Sequence, residues 1–158
     1  MDRTRRLPQP GHRTLRRGRA SLPGHVYHVT TTTRSRAPRF ADHDAACAAC
    51  RCFENTTLLG DARMLAWVLM PDHAHWLLQL GHRRSLPGII HVLKASSTHN
   101  IHREEGGCEL VWSRAYHDHA LRRDEDVLAA ARYIIANPLR AGLVRRIGDY
   151  PYWNAIWL

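Results

Sequence analysis

The chain of 158 residues is 44% hydrophobic and carries a formal net charge of +9, with a pI near 10.2. That length suits one compact domain with a genuine core, and no stretch approaches the roughly eighteen unbroken apolar residues that a membrane span needs. All of the basic residues except Lys94 are arginine, so the charge is guanidinium charge, suited to bidentate phosphate pairing and base stacking, and it points first to a nucleic-acid partner.

Residues 1–24 hold Arg3, Arg5, Arg6, Arg13, Arg16, Arg17 and Arg19 among prolines and glycines, with few apolar side chains. Such a segment cannot bury a core and reads as a basic N-terminal arm suited to lying along a phosphate backbone. No apolar run follows these arginines, so neither a secretory nor a twin-arginine signal is expected, and the expected location is the cytoplasm, with the nucleoid. His25 to Thr33, dense in β-branched and aromatic residues, is the first predicted strand. A basic loop from Arg34 to Phe40 follows. Asp42 then offers an N-cap to a helix running to about Leu59, stopped by Gly60-Asp61. Cys47, Cys50 and Cys52 lie in that helix; with no second Cys/His pair at zinc-site spacing, they read as small buried thiols.

Met64 to Met70 is an apolar run of strand length. From His73 to Leu80 the pattern alternates, His73, His75 and Gln79 pointing one way and Ala74, Trp76, Leu78 and Leu80 the other. Pro71 and Asp72 interrupt the ladder, so the two runs read as antiparallel strands joined by a tight turn. His73 and His75, at i and i+2, share a face, where two neutral imidazoles suit one divalent ion. An isolated His-x-His pair is a weak signal, more often structural than ligating. Gly81 to Ser85 form a basic turn with Arg83 and Arg84, and Leu86 to about Arg103 is a second helix ended by Gly106-Gly107. Its buried face is Ile89, Ile90, Leu93 and Ser97. Glu109 to Leu121 has room for one or two short strands.

Asp124 is the expected cap of a third helix with an apolar stripe of Val127, Leu128, Ala131, Ile134 and Ile135. Tyr133 and Asn137 lie off that stripe and share a face one turn apart, with Pro138 pushing Asn137 towards the helix end. Strand, helix, hairpin, helix, short strand and helix together give an α+β sandwich, an antiparallel sheet with helices packed on one face.

The run from Val68 through His73-Ala74-His75 to Leu78, followed by Val111-Trp112-Ser113-Arg114 and by Tyr133 to Asn137 and on to Val144, resembles the REP-associated tyrosine transposases. These are HUH single-strand DNA transposases, in which U is a bulky apolar residue. The resemblance spans about Gly24 to Trp153 and includes the strand Tyr27-His28-Val29-Thr30. Two positions depart from it: Ala74 is small at the U position, and Asp72 stands where asparagine is usual. The resemblance implies an RRM-like or ferredoxin-like sheet, in agreement with the element order, within a catalytic domain covering residues 25–158. It implies further that His73 and His75 are metal ligands, that Asn137 completes the metal site and that Tyr133 is the nucleophile.

The chemistry is consistent with those roles. A phenol with a pKa near ~10 is a poor nucleophile at neutral pH and needs a base or a strongly electrophilic phosphate; a divalent ion supplies the latter by polarising the phosphodiester. Mixed nitrogen and oxygen ligands suit Mg²⁺ or Mn²⁺, with Zn²⁺ left open. The implied activity is cleavage and rejoining of single-stranded or REP-like hairpin DNA through a 5′-phosphotyrosine, by a monomer or a homodimer. Candidate DNA contacts are Arg13, Arg16, Arg17, Arg19, Arg34, Arg83, Arg84, Lys94, Arg114 and Arg140. Tyr116 is the rival phenol, and His117 and His119 form a second His-x-His pair with a minor role expected at DNA. Two other readings stand beside this one, a non-cleaving binder of structured DNA or RNA and a metal-dependent hydrolase that activates water.

Overall fold

The computed structural model describes residues 21–122 and 125–157. Its elements are β1 (Val26–Thr32), α1 (His43–Phe53), α2 (Thr56–Leu59), β2 (Arg63–Met70), β3 (His73–Gln79), α3 (Leu86–Glu105), β4 (His117–Ala120), α4 (Val127–Ile135), α5 (Asn137–Arg140) and β5 (Trp153–Ala155). The strands form one five-stranded antiparallel sheet in the order β4-β1-β3-β2-β5. Its first four strands, with α1 and α3, have the β-α-β-β-α-β wiring of a ferredoxin-like sandwich. β5 is an addition beside β2.

Strand alternation sorts the sheet's side chains into two cores. Tyr27, Val29, Trp67, Leu69, Ala74, Trp76 and Leu78 pack under α1 and α3 with Phe53, Ile89 and Leu93. Phe53 meets Trp67 and Trp76 edge-on, with ring centroids 5.2 and 5.3 Å away. These two helices share one face, as expected. α4 packs on the other, where Ala131, Ile134 and Ile135 bury Val68, Met70 and Leu77. The physical reason lies in β2, which is buried at every position from Met64 to Met70; a strand apolar on both sides needs cover on both. A bulge between Met64 and Ala66 turns both Leu65 and Ala66 towards α4.

Three local boundaries differ from the sequence reading. The helix expected from Asp42 to Leu59 is two: the Asp42 carboxylate accepts from the Ala45 N–H at 2.9 Å, and the Asn55 amide oxygen accepts from Thr57 and Leu58 to start a new turn. Asn55 offers the backbone an alternative to continuing the helix, and the chain takes it. The cap of α4 is Asp126, which accepts from the Leu128 N–H at 2.8 Å, because a cap must directly precede the first helical residue, here Val127. Asp124 lies outside the described residues, as do Arg13, Arg16, Arg17 and Arg19. Residues 21–24, grouped with the arm by composition, are tied to the body: Ser21 Oγ accepts from the Leu86 N–H at 3.0 Å, and the Leu22 N–H donates to the Tyr27 hydroxyl at 2.9 Å.

The thiols of α1 are free, Cys52 buried and Cys47 and Cys50 half-buried. Burial pushes Cys50 up to about 12, which keeps it protonated and unreactive. No helix among the described residues is long and apolar enough to cross a membrane.

Candidate functional site

The register of the sheet collects polar side chains on the face that α4 only partly covers. His73 pairs with Thr32 and Met70, His75 with Thr30 and Val68, and His28 with Leu77 and His119. Directly opposed residues share a face. His28, Thr30, Thr32, His73, His75, His117 and His119 therefore lie on one side, beside the apolar patch of Val68, Met70 and Leu77 on which α4 sits.

The His73 and His75 rings are perpendicular, with centroids 5.0 Å apart. Each is held through Nδ1 by a different partner. His73 Nδ1 lies 2.6 Å from Asp72 Oδ1, and the other carboxylate oxygen pairs with Arg36 Nε at 3.1 Å. His75 Nδ1 lies 3.0 Å from both the Thr30 hydroxyl and His28 Nε2. Neither ring uses Nε2 in a hydrogen bond among the described residues. Outer partners on Nδ1 with Nε2 presented is the arrangement that fixes the tautomer and aim of an imidazole ligand. Burial, reinforced by His28, His73 and Arg140, pushes the His75 pKa down to about 3, so the ring is neutral at physiological pH and its lone pair is available. Burial, and then the charge of His119, also holds His28 below the ordinary histidine range. Arg36 answers the negative charge that Asp72 adds at this position. It follows Ser35 in a turn where both residues have positive φ, 55° and 56°, a strained conformation for side-chain-bearing residues that collects at functional sites.

Across the site, Tyr133 is 60% exposed although its neighbours Ala131 and Ile134 are buried. The Arg140 Cζ lies 3.9 Å over its ring centroid. Asn137 opens α5, and its Nδ2 donates to the Ile134 carbonyl at 2.7 Å. That bond leaves the amide oxygen, the atom suited to a cation, without a partner among the described residues.

Among the described residues no group of three or more His, Cys, Asp or Glu is disposed to hold a metal. A divalent ion held at this face would have the two imidazole Nε2 atoms to bind and, if α5 brings it, the Asn137 amide oxygen, with water or substrate oxygens completing its shell. That donor set fits Mg²⁺ or Mn²⁺.

The remaining candidates are dispersed. Lys94 donates to the Ser113 and Ala115 carbonyls at 2.8 and 3.1 Å, and Arg84 to the Leu58 carbonyl at 2.7 Å, so both cations anchor loops. The Arg83 backbone N–H is held by Asp61, and Arg34, Arg83 and Arg114 have exposed side chains. Tyr116 is half-buried, its ring 5.6 Å from Lys94 Nζ. His119 pairs with Glu125 at 3.1 Å. Residue-by-residue reading missed His28, Thr30 and Arg36. The alternation Tyr27-His28-Val29-Thr30 carried a signal for the first two; nothing local linked Arg36 to Asp72.

The sequence profile of the IS200-like transposases matches residues 21–137. The chain belongs to this family. The matched stretch of this IS200-like transposase contains His73, His75 and Tyr133 and ends on Asn137. It is 29% identical over 89 residues to the REP-associated tyrosine transposase of Escherichia coli (strain K12), covering 55% of this chain and 50% of that protein. It is 31% identical over 101 residues to a putative REP-associated tyrosine transposase of Haemophilus influenzae, covering 56% of each. The chain thus spans about half the length of the curated relatives it matches. Among solved structures it is similar to a REP-associated tyrosine transposase bound to a REP hairpin, with a TM-score of 0.66 at 22% identity over 85% of this chain and 79% of that one. A putative transposase of Deinococcus radiodurans gives a TM-score of 0.50 at 22% identity, over 77% and 96%. At these identities the two structures speak for the fold, and the fold agrees with the sheet described above.

Proposed function

We propose that this IS200-like transposase cleaves and rejoins single-stranded or REP-like hairpin DNA, with Tyr133 as nucleophile and with His73, His75 and Asn137 as ligands of Mg²⁺ or Mn²⁺. The observation that carries the reading is the pairing of two imidazoles on one strand face, each fixed through Nδ1, with an exposed phenol on the helix that packs against the same face of the sheet.

In the reaction the Tyr133 oxygen attacks phosphorus, a phenolic O–P bond forms and the P–O3′ bond breaks. The phenolic proton passes to water and the leaving 3′-oxygen ends as a hydroxyl. The protein is left on the 5′-phosphate of the downstream strand. Because the ester keeps the energy of the cleaved bond, attack by a 3′-hydroxyl reverses the step with no nucleotide cofactor. When bound, the ion polarises the phosphodiester and neutralises charge that builds on it. The chain's own contribution is orientation: Asp72 aims His73, Thr30 and His28 aim His75, and the buried stripe of α4 keeps the phenol at the surface. Arginine supplies the phosphate affinity.

Incubation of the protein with a 3′-labelled REP-like hairpin and Mg²⁺ should give a slow band on a denaturing gel. His73→Ala and His75→Ala should abolish that band while largely keeping the gel-shift affinity, since the imidazoles serve the ion and the arginines hold the DNA. Cleavage at the wild-type rate by the double alanine variant would sink the metal assignment. Hairpin binding by the wild type without any adduct would leave a non-cleaving DNA binder.

A further inference from the structure

We propose that Arg140 clamps the phosphodiester that Tyr133 attacks, its guanidinium holding the phenol ring with its face and the substrate phosphate with its edge. This inference deepens the proposed function and rests on it.

A Cζ-to-centroid distance of 3.9 Å is a stacking contact. Stacking uses only the flat face of a guanidinium; the five N–H donors lie in its plane and remain available for bidentate phosphate binding. Among the described residues none of those donors has a hydrogen-bond partner. Five other arginines are engaged by the protein: Arg36 on Asp72, Arg39 on Glu105, Arg51 on Glu104, Arg84 on the Leu58 carbonyl and Arg146 on Asp149. Arg140 is therefore a cation whose charge the protein does not itself neutralise, held by an aromatic ring instead of a carboxylate.

Its placement is built into the chain. On one continuous helix Tyr133 and Arg140 would be separated by about 10 Å along the axis. α4 ends at Ile135 and α5 starts at Asn137 with buried Pro138 in its first turn, and across that break the Arg140 guanidinium lies over the Tyr133 ring. Pro138 enforces the break, since a proline cannot continue a helix's hydrogen-bond ladder at that point. Held against the ring of the attacking phenol, the cation lies beside the non-bridging oxygens of the phosphate that this phenol attacks. A preorganised donor aimed at those oxygens stabilises the charge that develops on them as the phenol adds. A lysine ammonium would bring the charge without the planar fork or the stack.

The test uses the full chain and a hairpin whose cleaved position is mapped from the wild-type product. In the non-cleaving Tyr133→Phe background, which keeps the ring, affinity is measured by fluorescence anisotropy for DNA with the natural phosphodiester and with a neutral methylphosphonate at that position. We expect Tyr133→Phe to prefer the charged phosphate by about tenfold, and Tyr133→Phe with Arg140→Gln to lose that preference. With Tyr133 present, Arg140→Gln should slow adduct formation at saturating DNA by about 10², and Arg140→Lys by less, with melting temperatures close to wild type. Should Arg140→Gln fold poorly, Arg140→Met, which keeps a long unbranched stem and removes the charge, carries the same comparison. An undiminished preference in the double variant, or wild-type adduct rates in both arginine variants, would overturn the clamp alone. Failure of the wild type to form any adduct would overturn the proposed function and the clamp with it.

Discussion

His73 and His75 are two residues apart yet are secured by different chemistry, and the difference gives separate tests. His73 depends on Asp72, whose second oxygen is occupied by Arg36. Asp72→Ala removes the acceptor on Nδ1, so Mn²⁺ affinity measured by calorimetry should fall by about 10–100-fold, the usual cost of losing an outer partner. Asp72→Asn restores the residue usual in the family and keeps an acceptor oxygen, so it should lose much less; equal affinity in the alanine variant would contradict the orienting role. His75 is instead buried against Thr30 and His28, and its native pKa is near 3 against an ordinary 6.5. Between those values the unfolded chain binds a proton that the native ring refuses, so stability is lost as pH falls through that window and is fully present above it. In metal-free protein the melting temperature should drop further between pH 7 and pH 4 for the wild type than for His75→Gln. Parallel pH profiles would show that the buried imidazole does not contribute.

At the scale of elements, α4 joins the exposed Tyr133 phenol to the sheet. Ile134 is fully buried against β2 and β3, one residue from exposed Tyr133. Ile134→Ala should cost about 2–5 kcal/mol in a denaturant titration. It should also slow adduct formation more than it weakens hairpin binding, because the helix places the nucleophile and the arginines hold the DNA; equal losses in both would argue that α4 does not position the phenol. The stripe that makes this helix amphipathic was legible in the sequence, as was the hairpin, because 3.6- and 2-residue periods are local signals. Which face of the sheet α4 would meet was not, since a stripe records that a helix is buried and says nothing of its partner. The end of β2–β3 was readable down to the shared side of His73 and His75. Their supports were not, because His28, Thr30 and Arg36 come to them only through pairing across dozens of residues. Asp126 replaced Asp124 as the cap because both are good capping residues within two positions, and only the first helical residue decides between them.

For the whole molecule, a net charge of +9 carried almost entirely by arginine makes DNA affinity a counterion problem. Log affinity should fall linearly with log salt, with a slope of about 0.7 per phosphate neutralised on a single strand. Deleting residues 1–20 removes seven arginines and leaves Ser21 and Leu22 in their bonds to the body. The slope should flatten in the truncated protein, and an unchanged slope would show that the arm takes no part in binding. The central claim is that the phenol on α4 is the attacking group, and peptide mapping of the trapped protein–DNA adduct tests it most directly. The modified residue should fall in the peptide carrying Tyr133, with the adduct absent from Tyr133→Phe and retained in Tyr116→Phe. An adduct mapped to Tyr116, or one that persists in Tyr133→Phe, would contradict the account.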